Sequence, residues 1–216
     1  MHFLLYLLMP VAASAASNGQ PVVEVYLPPV LTTDMAQTFQ RAQGVVKEAY
    51  SEIGVQVKWR STASAPAGCT KDPLHWKIVV GFGTSSPAGA GKEALAFANP
   101  YLMEGPCVTL LMDRVEPAAK RNPRSAGYLL GHVLAHEIGH VLQGIARHSE
   151  TGLMKAHWSL REIKMMPEDR LRFTEEDSAM ILRTLANPLI LRTVDGQSPR
   201  ESTITIHLLA REGVGR

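Results

Sequence analysis

The sequence predicts a mixed α/β chain in which strands and helices form an α+β arrangement. Three observations predict it: a series of short apolar runs that alternate with polar residues, two long helical patterns near Met35–Ile53 and Ala126–Gln143, and a shorter helical run at Glu175–Leu185. At 216 residues the chain has length for one domain with a real core.

The elements follow in order. Val22-Val23-Glu24-Val25-Tyr26-Leu27 ends in alternation and reads as a strand, which Pro28-Pro29 stops. Thr32-Thr33-Asp34 offers caps for a helix from about Met35 to Ile53, with Phe39, Val45, Val46 and Tyr50 apolar and Gly54 at its C-cap. Val55-Gln56-Val57-Lys58-Trp59 alternates as a second strand. Residues 61–74, rich in Ser, Ala, Pro and Gly, read as a loop holding Cys69. Trp76 to Phe82 is a third strand, and the Gly/Ser/Ala-rich segment 83–93 separates it from a short fourth strand at Ala94 to Ala98. Cys107 to Met112 is the fifth strand, Arg121 to Ser125 a turn, and Ala126 to Gln143 a long helix. His148 to Trp158 reads as loop, and Thr174 caps the helix at Glu175–Leu185. In the tail, Thr203-Ile204-Thr205-Ile206-His207-Leu208 alternates among Arg and Gly, and both a strand and a poorly ordered end stay open.

Composition bounds the function. Hydrophobic residues are 45%, charged residues 19%, and the net charge of +2 is scattered, so no nucleic-acid partner is expected. An apolar run from Phe3 to Met9 continues into Val11-Ala12-Ala13-Ser14-Ala15, whose small-x-small pattern suits an export signal cut after Ala15. The run is shorter than a membrane span and Pro10 interrupts it, so no stable span is expected after cleavage. A secreted or periplasmic location follows. In such an oxidising compartment the two cysteines, Cys69 and Cys107, are expected to join, the alternative being two buried thiols.

The chemistry lies in His136-Glu137-Ile138-Gly139-His140, an H-E-x-x-H pattern on the long helix. Residues four apart share a helix face, so both imidazoles can reach one zinc ion. Glu137 then stands where it can act as general base on a zinc-activated water. Leu130, Val133, Leu134, Ile138, Val141 and Leu142 surround the motif with apolar positions, which predicts burial. Buried histidines beside a buried glutamate cost desolvation unless something uses them. His132, one turn earlier, reads as a packing residue.

Beyond the motif stand Gly144, His148-Ser149 and Thr151-Gly152-Leu153-Met154. In that order they resemble the metzincin zinc peptidases, with H-E-x-x-H-x-x-G-x-x-H followed by a Met-turn, and the His-Ser and Leu-Met pairs are most similar to the matrixin branch. The spacing departs from the family: the glycine falls four residues after His140 and the third histidine eight after. The resemblance implies one catalytic zinc held by His136, His140 and His148, with Met154 as a floor beneath it. Its competitors as third ligand are His157, Glu150, Glu175 and Glu176. It also implies a mixed, twisted five-stranded sheet with a backing helix and an active-site helix. The domain would span residues 16–187, with an upper part at about 22–144, a small mainly helical lower part at about 145–187, and a tail at 188–216. In that fold the fourth strand, Ala94, Leu95, Ala96, Phe97 and Ala98, is an edge on which an extended peptide lies. The expectation is a monomeric secreted zinc endopeptidase acting on peptide or protein substrates in extended conformation. A non-catalytic zinc-containing binding module and a metal-dependent amidase are the alternatives.

Overall fold

Alternating β-branched residues make Val22–Leu27 a strand, β1, whose Val23 and Val25 are fully buried. The computed structural model of the chain describes residues 20–29, 32–72, 75–84, 94–100, 102, 104–121, 123–187 and 204–208, the last of these by backbone. The expected export signal at 1–15 and most of the segment 83–93 lie outside the described residues. Helix α1 (Thr33–Glu52) follows, with Phe39, Val46 and Tyr50 on its buried face. Then come β2 (Gln56–Ser61), a single 3-10 turn (Thr62–Ser64), β3 (Thr70–Asp72), β4 (His75–Gly83), β5 (Ala94–Ala98) and β6 (Val108–Leu111). Helices α2 (Met112–Arg121) and α3 (Pro123–Gln143) precede β7 (His157–Trp158), α4 (Leu160–Met165), α5 (Glu175–Ala186) and β8 (Ile204–Leu208).

The chain is thus mixed α/β with five α-helices among the described residues and one mixed sheet. The sheet has eight strands where the sequence predicts five, in the order β2-β1-β4-β6-β5-β8-β7, with β3 paired to β4. The added strands are short or remote. β3 has three residues, β7 has two, and β8 comes from the tail. Strands β1, β2, β4 and β6 run parallel, and β5 runs antiparallel to β6. Strand β5 has the predicted bounds but is not a bare edge, because β8 pairs along its outer side. Helix α2 is also a correction: the sequence pattern continues β6 to Met112 and then shows no element before the turn. Met112, Val115, Ala118 and Ala119 fall three or four apart and pack on the core, but Pro117 stands inside the run and reads as a break.

Two close contacts fix α3 on α1. A Cβ on Gly127 would stand 2.5 Å from Arg41 Cβ, and one on Gly131 would stand 2.5 Å from Val45 Cβ. Glycine at these positions lets the two helix backbones approach. One turn further, the buried Tyr50 hydroxyl donates to the Ala135 carbonyl at 2.9 Å. The other face of α3 lies under β5 and β6, and Leu134, Ile138 and Leu142 join strand residues Ile78, Val80 and Leu110 in one core. Burying each such side chain stabilises the fold by about 1.5–3 kcal/mol. The disulfide between Cys69 and Cys107 links the loop before β3 to the start of β6, as the cysteine count predicts.

Candidate metal centre

Helix α3 carries His136, Glu137 and His140 fully buried, as the apolar context predicts. His136 Nδ1 lies 2.8 Å from the Leu153 carbonyl, and His140 Nδ1 lies 3.3 Å from the Ile145 carbonyl. A carbonyl only accepts, so each Nδ1 carries the proton and each Nε2 carries a lone pair. These two Nε2 atoms face one another at 2.8 Å. Burial pushes the His136 imidazolium down to about 3, a shift the Leu153 carbonyl partly offsets. Burial, then the neighbouring His136 and His148, hold His140 well below its ordinary value. Neither nitrogen therefore takes a proton at neutral pH, and two lone pairs in contact call for a cation between them.

The third imidazole completes the set. Among the described residues, His136, His140 and His148 form a group whose ligating nitrogens all lie within 4.8 Å of one another. A tetrahedral ion with bonds of about 2.0–2.1 Å holds its ligand nitrogens about 3.3 Å apart. That spacing falls between the 2.8 Å of the helical pair and the 4.8 Å bound on the trio, so the three residues fit one metal ion. Neutral imidazoles suit zinc, copper, iron or nickel alike.

The turn that returns His148 follows from Gly144. Its φ of +69° belongs to the left-handed region that ends helices, and its N–H donates to the His140 carbonyl at 2.8 Å. Past His148, Gly152 has φ +76° and sits so close to the Arg172 carbonyl that a Cβ would stand 2.5 Å from that oxygen. This tight turn aims the Leu153 carbonyl at His136 and leaves Met154 fully buried. A Cβ on Gly139 would stand 2.6 Å from Met154 Sδ, so the methionine lies against α3 between the two helical histidines. The buried Trp158 indole meets the His136 ring edge-on at 5.9 Å between centroids.

The rival ligands lie elsewhere. His157 is exposed on β7, Glu150 and Glu175 are exposed, and Glu176 pairs with Arg147. His132 is a packing residue: its Nδ1–H donates to the Tyr128 carbonyl at 2.8 Å, and its Nε2 accepts from the Leu171 N–H at 3.1 Å.

One residue at the site escapes the sequence reading. Asp177, fully buried on α5, accepts from Gln143, Arg147 and Ser149 through Oδ1 and from Thr174 through Oδ2. It thereby ties the end of α3 and both neighbours of His148 to the last helix. The spacing Thr174-x-x-Asp177 marks a capping box, which is its signal in the sequence. Its reach to the site is tertiary.

Glu137 completes the geometry. Its carboxyl is buried, makes no full hydrogen bond, and faces the Ala98 N–H of β5. Burial raises it well above the usual carboxyl range. A cation on the adjacent histidines would bring it back, since a nearby positive charge favours the carboxylate. Compared with protein-family models, with curated proteins and with solved structures, the chain matches none.

Proposed function

We propose that this chain is a metzincin-like zinc endopeptidase. The observation that carries the reading is the buried carboxyl of Glu137 beside the three-histidine cluster, facing the backbone of β5. A structural zinc site closes with four protein ligands and has no use for a carboxyl buried next to it. Three histidines would hold an ion with one ligand fewer than a closed structural site, and Glu137 follows His136 directly on the same buried helix.

His136, His140 and His148 would hold the ion. When bound, zinc would supply Lewis acidity, polarising a substrate carbonyl and lowering the pKa of a water into the neutral range. The Glu137 carboxylate would serve as general base, accepting a proton from the attacking water and returning it to the leaving amine. Trp158 meets the His136 ring edge-on and Met154 lies against α3 at Gly139, both fully buried. With β8 displaced from its outer side, the short strand β5 would offer peptide groups along which an extended substrate can align by strand addition. The order of Gly144, His148-Ser149 and Met154, with both glycine turns in the left-handed region, supports the metzincin reading. The disulfide is compatible with an extracellular or periplasmic location. No helix among the described residues is long and apolar enough to cross a membrane.

The test is Glu137→Gln, read by metal analysis and by hydrolysis of a peptide library. The variant should keep its zinc and lose at least about a hundredfold in rate, the lower end of what a general base supplies. Full hydrolysis by the variant would remove Glu137 from the chemistry. A wild-type chain that holds stoichiometric zinc and cuts no peptide would be a binding module, or an amidase if it cuts small amides.

A further inference from the structure

Strand β8 lies between β5 and β7, antiparallel to the first and parallel to the second. Those two segments are the walls of the site. Ala98 of β5 faces Glu137, and Trp158 of β7 packs on the His136 ring. The tail pairs Ile204 with Ala98, Thr205 with Phe97, and His207 with both Ala94 and His157. The tail thus runs between the strand that faces Glu137 and the strand whose Trp158 packs on His136. We infer that residues 204–208 are a tethered occupant of the substrate cleft, which excludes extended peptides from β5 until the tail is displaced. The inference rests on the endopeptidase reading for the identity of the cleft, and on the strand pairing for its occupant.

The segment suits that task. Ile204, Thr205 and Ile206 are β-branched, and the sequence 203–208 carries no charge beyond His207. By the pleat, Ile204, Ile206 and Leu208 share one face. The covalent tether makes the pairing intramolecular, which raises the tail's effective concentration at β5 above that of a free peptide. A free peptide of modest affinity loses to such a competitor. The pairing is also incomplete: the register with β5 breaks between Ala94 and Phe97. A broken ladder holds fewer backbone hydrogen bonds than a regular one, so a better-matched peptide or a cut in the tether can displace it.

The experiment uses the full chain with Glu137→Gln, in which no bond is cut, and with Thr205→Pro and His207→Pro added in a second protein. Proline cannot donate to a ladder, so the added pair removes the tail from β5. The probe is a labelled peptide of the sequence 202–210, followed by fluorescence anisotropy, with hydrogen exchange of the Ala94–Ala98 amides alongside. The proline protein should bind the probe at least about tenfold more tightly, and its β5 amides should exchange faster. Equal affinity and equal exchange in the two proteins would overturn the inference. Should the proline protein fail to fold, a chain with a specific protease site inserted after Asn187 is folded intact, cut and diluted. Gain of probe binding on cutting supports the tethered occupant, and no gain overturns it. The same comparison in the Glu137 background separates the two readings. Probe binding that rises without any hydrolysis leaves the occupant and removes the peptidase. Hydrolysis that is equal with and without the tail leaves the peptidase and removes the occupant.

Discussion

Replacing Asp177 by asparagine tests whether α5 holds the third histidine in place. The carboxyl is fully buried and every group around it donates. Oδ1 accepts from Ser149 Oγ at 2.7 Å and from Gln143 Nε2 and Arg147 Nη1 at 3.3 Å each. Oδ2 accepts from the Thr174 N–H at 3.1 Å and from its hydroxyl at 2.7 Å. Asparagine keeps the shape but exchanges one acceptor for an N–H2 donor. Turned toward Thr174, that donor meets another N–H and undoes the capping box, at a cost of about 1 kcal/mol. The neutral amide oxygen also replaces a charge-assisted acceptor for Arg147, at a further cost of about 1–2 kcal/mol. The sum, about 2–3 kcal/mol, lowers the melting temperature of a chain this size by about 4–12 °C. Metal affinity should fall by about tenfold or more, because groups that orient ligands commonly matter by 10–100-fold. Calorimetry gives the first quantity and competition with a chromophoric chelator gives the second. A melting temperature that falls while metal affinity stays unchanged would refute the link between α5 and His148.

The remaining predictions address the other supports. His136→Ala and His140→Ala should each abolish stoichiometric metal binding, and His148→Ala should weaken it strongly; metal analysis after gel filtration reads all three. If His148→Ala retains a full equivalent of metal at low metal concentration, the third ligand is not His148. Gly152→Ala forces a Cβ to 2.5 Å from the Arg172 carbonyl at a φ of +76°. The left-handed backbone alone costs about 1–2 kcal/mol. Because Leu153 next to it orients His136, the variant should lose metal affinity as well as thermal stability. Replacing both cysteines by serine opens a loop of 38 residues and should cost about 4 kcal/mol, or about 8–16 °C in melting temperature; a change under about 2 °C would contradict the chain-entropy account.

Locally determined features were legible in the sequence. His136 and His140 meet because four residues make one helical turn, and nothing distant is needed to bring their rings together. Helix α5 is announced by its cap, Thr174, and β1 and β5 by apolar content between breakers. What stayed hidden was set by partners far along the chain. Helix α2 has only a short apolar stripe, Met112, Val115, Ala118 and Ala119, and Pro117 within it argues for a break unless the neighbouring core is known. Strand β8 alternates, but alternation alone cannot say that β5 and β7 await it. Gly127 and Gly131 are spaced for a close helix crossing, yet only the position of α1 gives that spacing a meaning. Asp177 reads as a capping residue, and its second oxygen reaches a site 34 residues back at Gln143.

The stretch between His140 and His148, longer than in the H-E-x-x-H-x-x-G-x-x-H pattern that it resembles, is not slack. Gly144 stops the helix, and the next carbonyl, that of Ile145, orients His140. Ala146 is exposed and bridges the turn. Arg147 reaches across to Glu176 and Asp177, so the chain is pinned one residue before His148. Ser149 pins it one residue after, through its hydroxyl to Asp177 and its N–H to the Met154 carbonyl at 2.9 Å. The added length thus supplies the contacts that hold the third imidazole. The consequence is a division of labour. The helical pair sits on α3 with its rings oriented by the Leu153 and Ile145 carbonyls and does not touch Asp177, whereas the third position is flanked by residues that α5 holds through that buried carboxylate. Loss of that carboxylate should turn a three-histidine site into a two-histidine site whose geometry on α3 is unchanged. A metal affinity that drops while the α3 amides keep their protection against hydrogen exchange is the signature of that change.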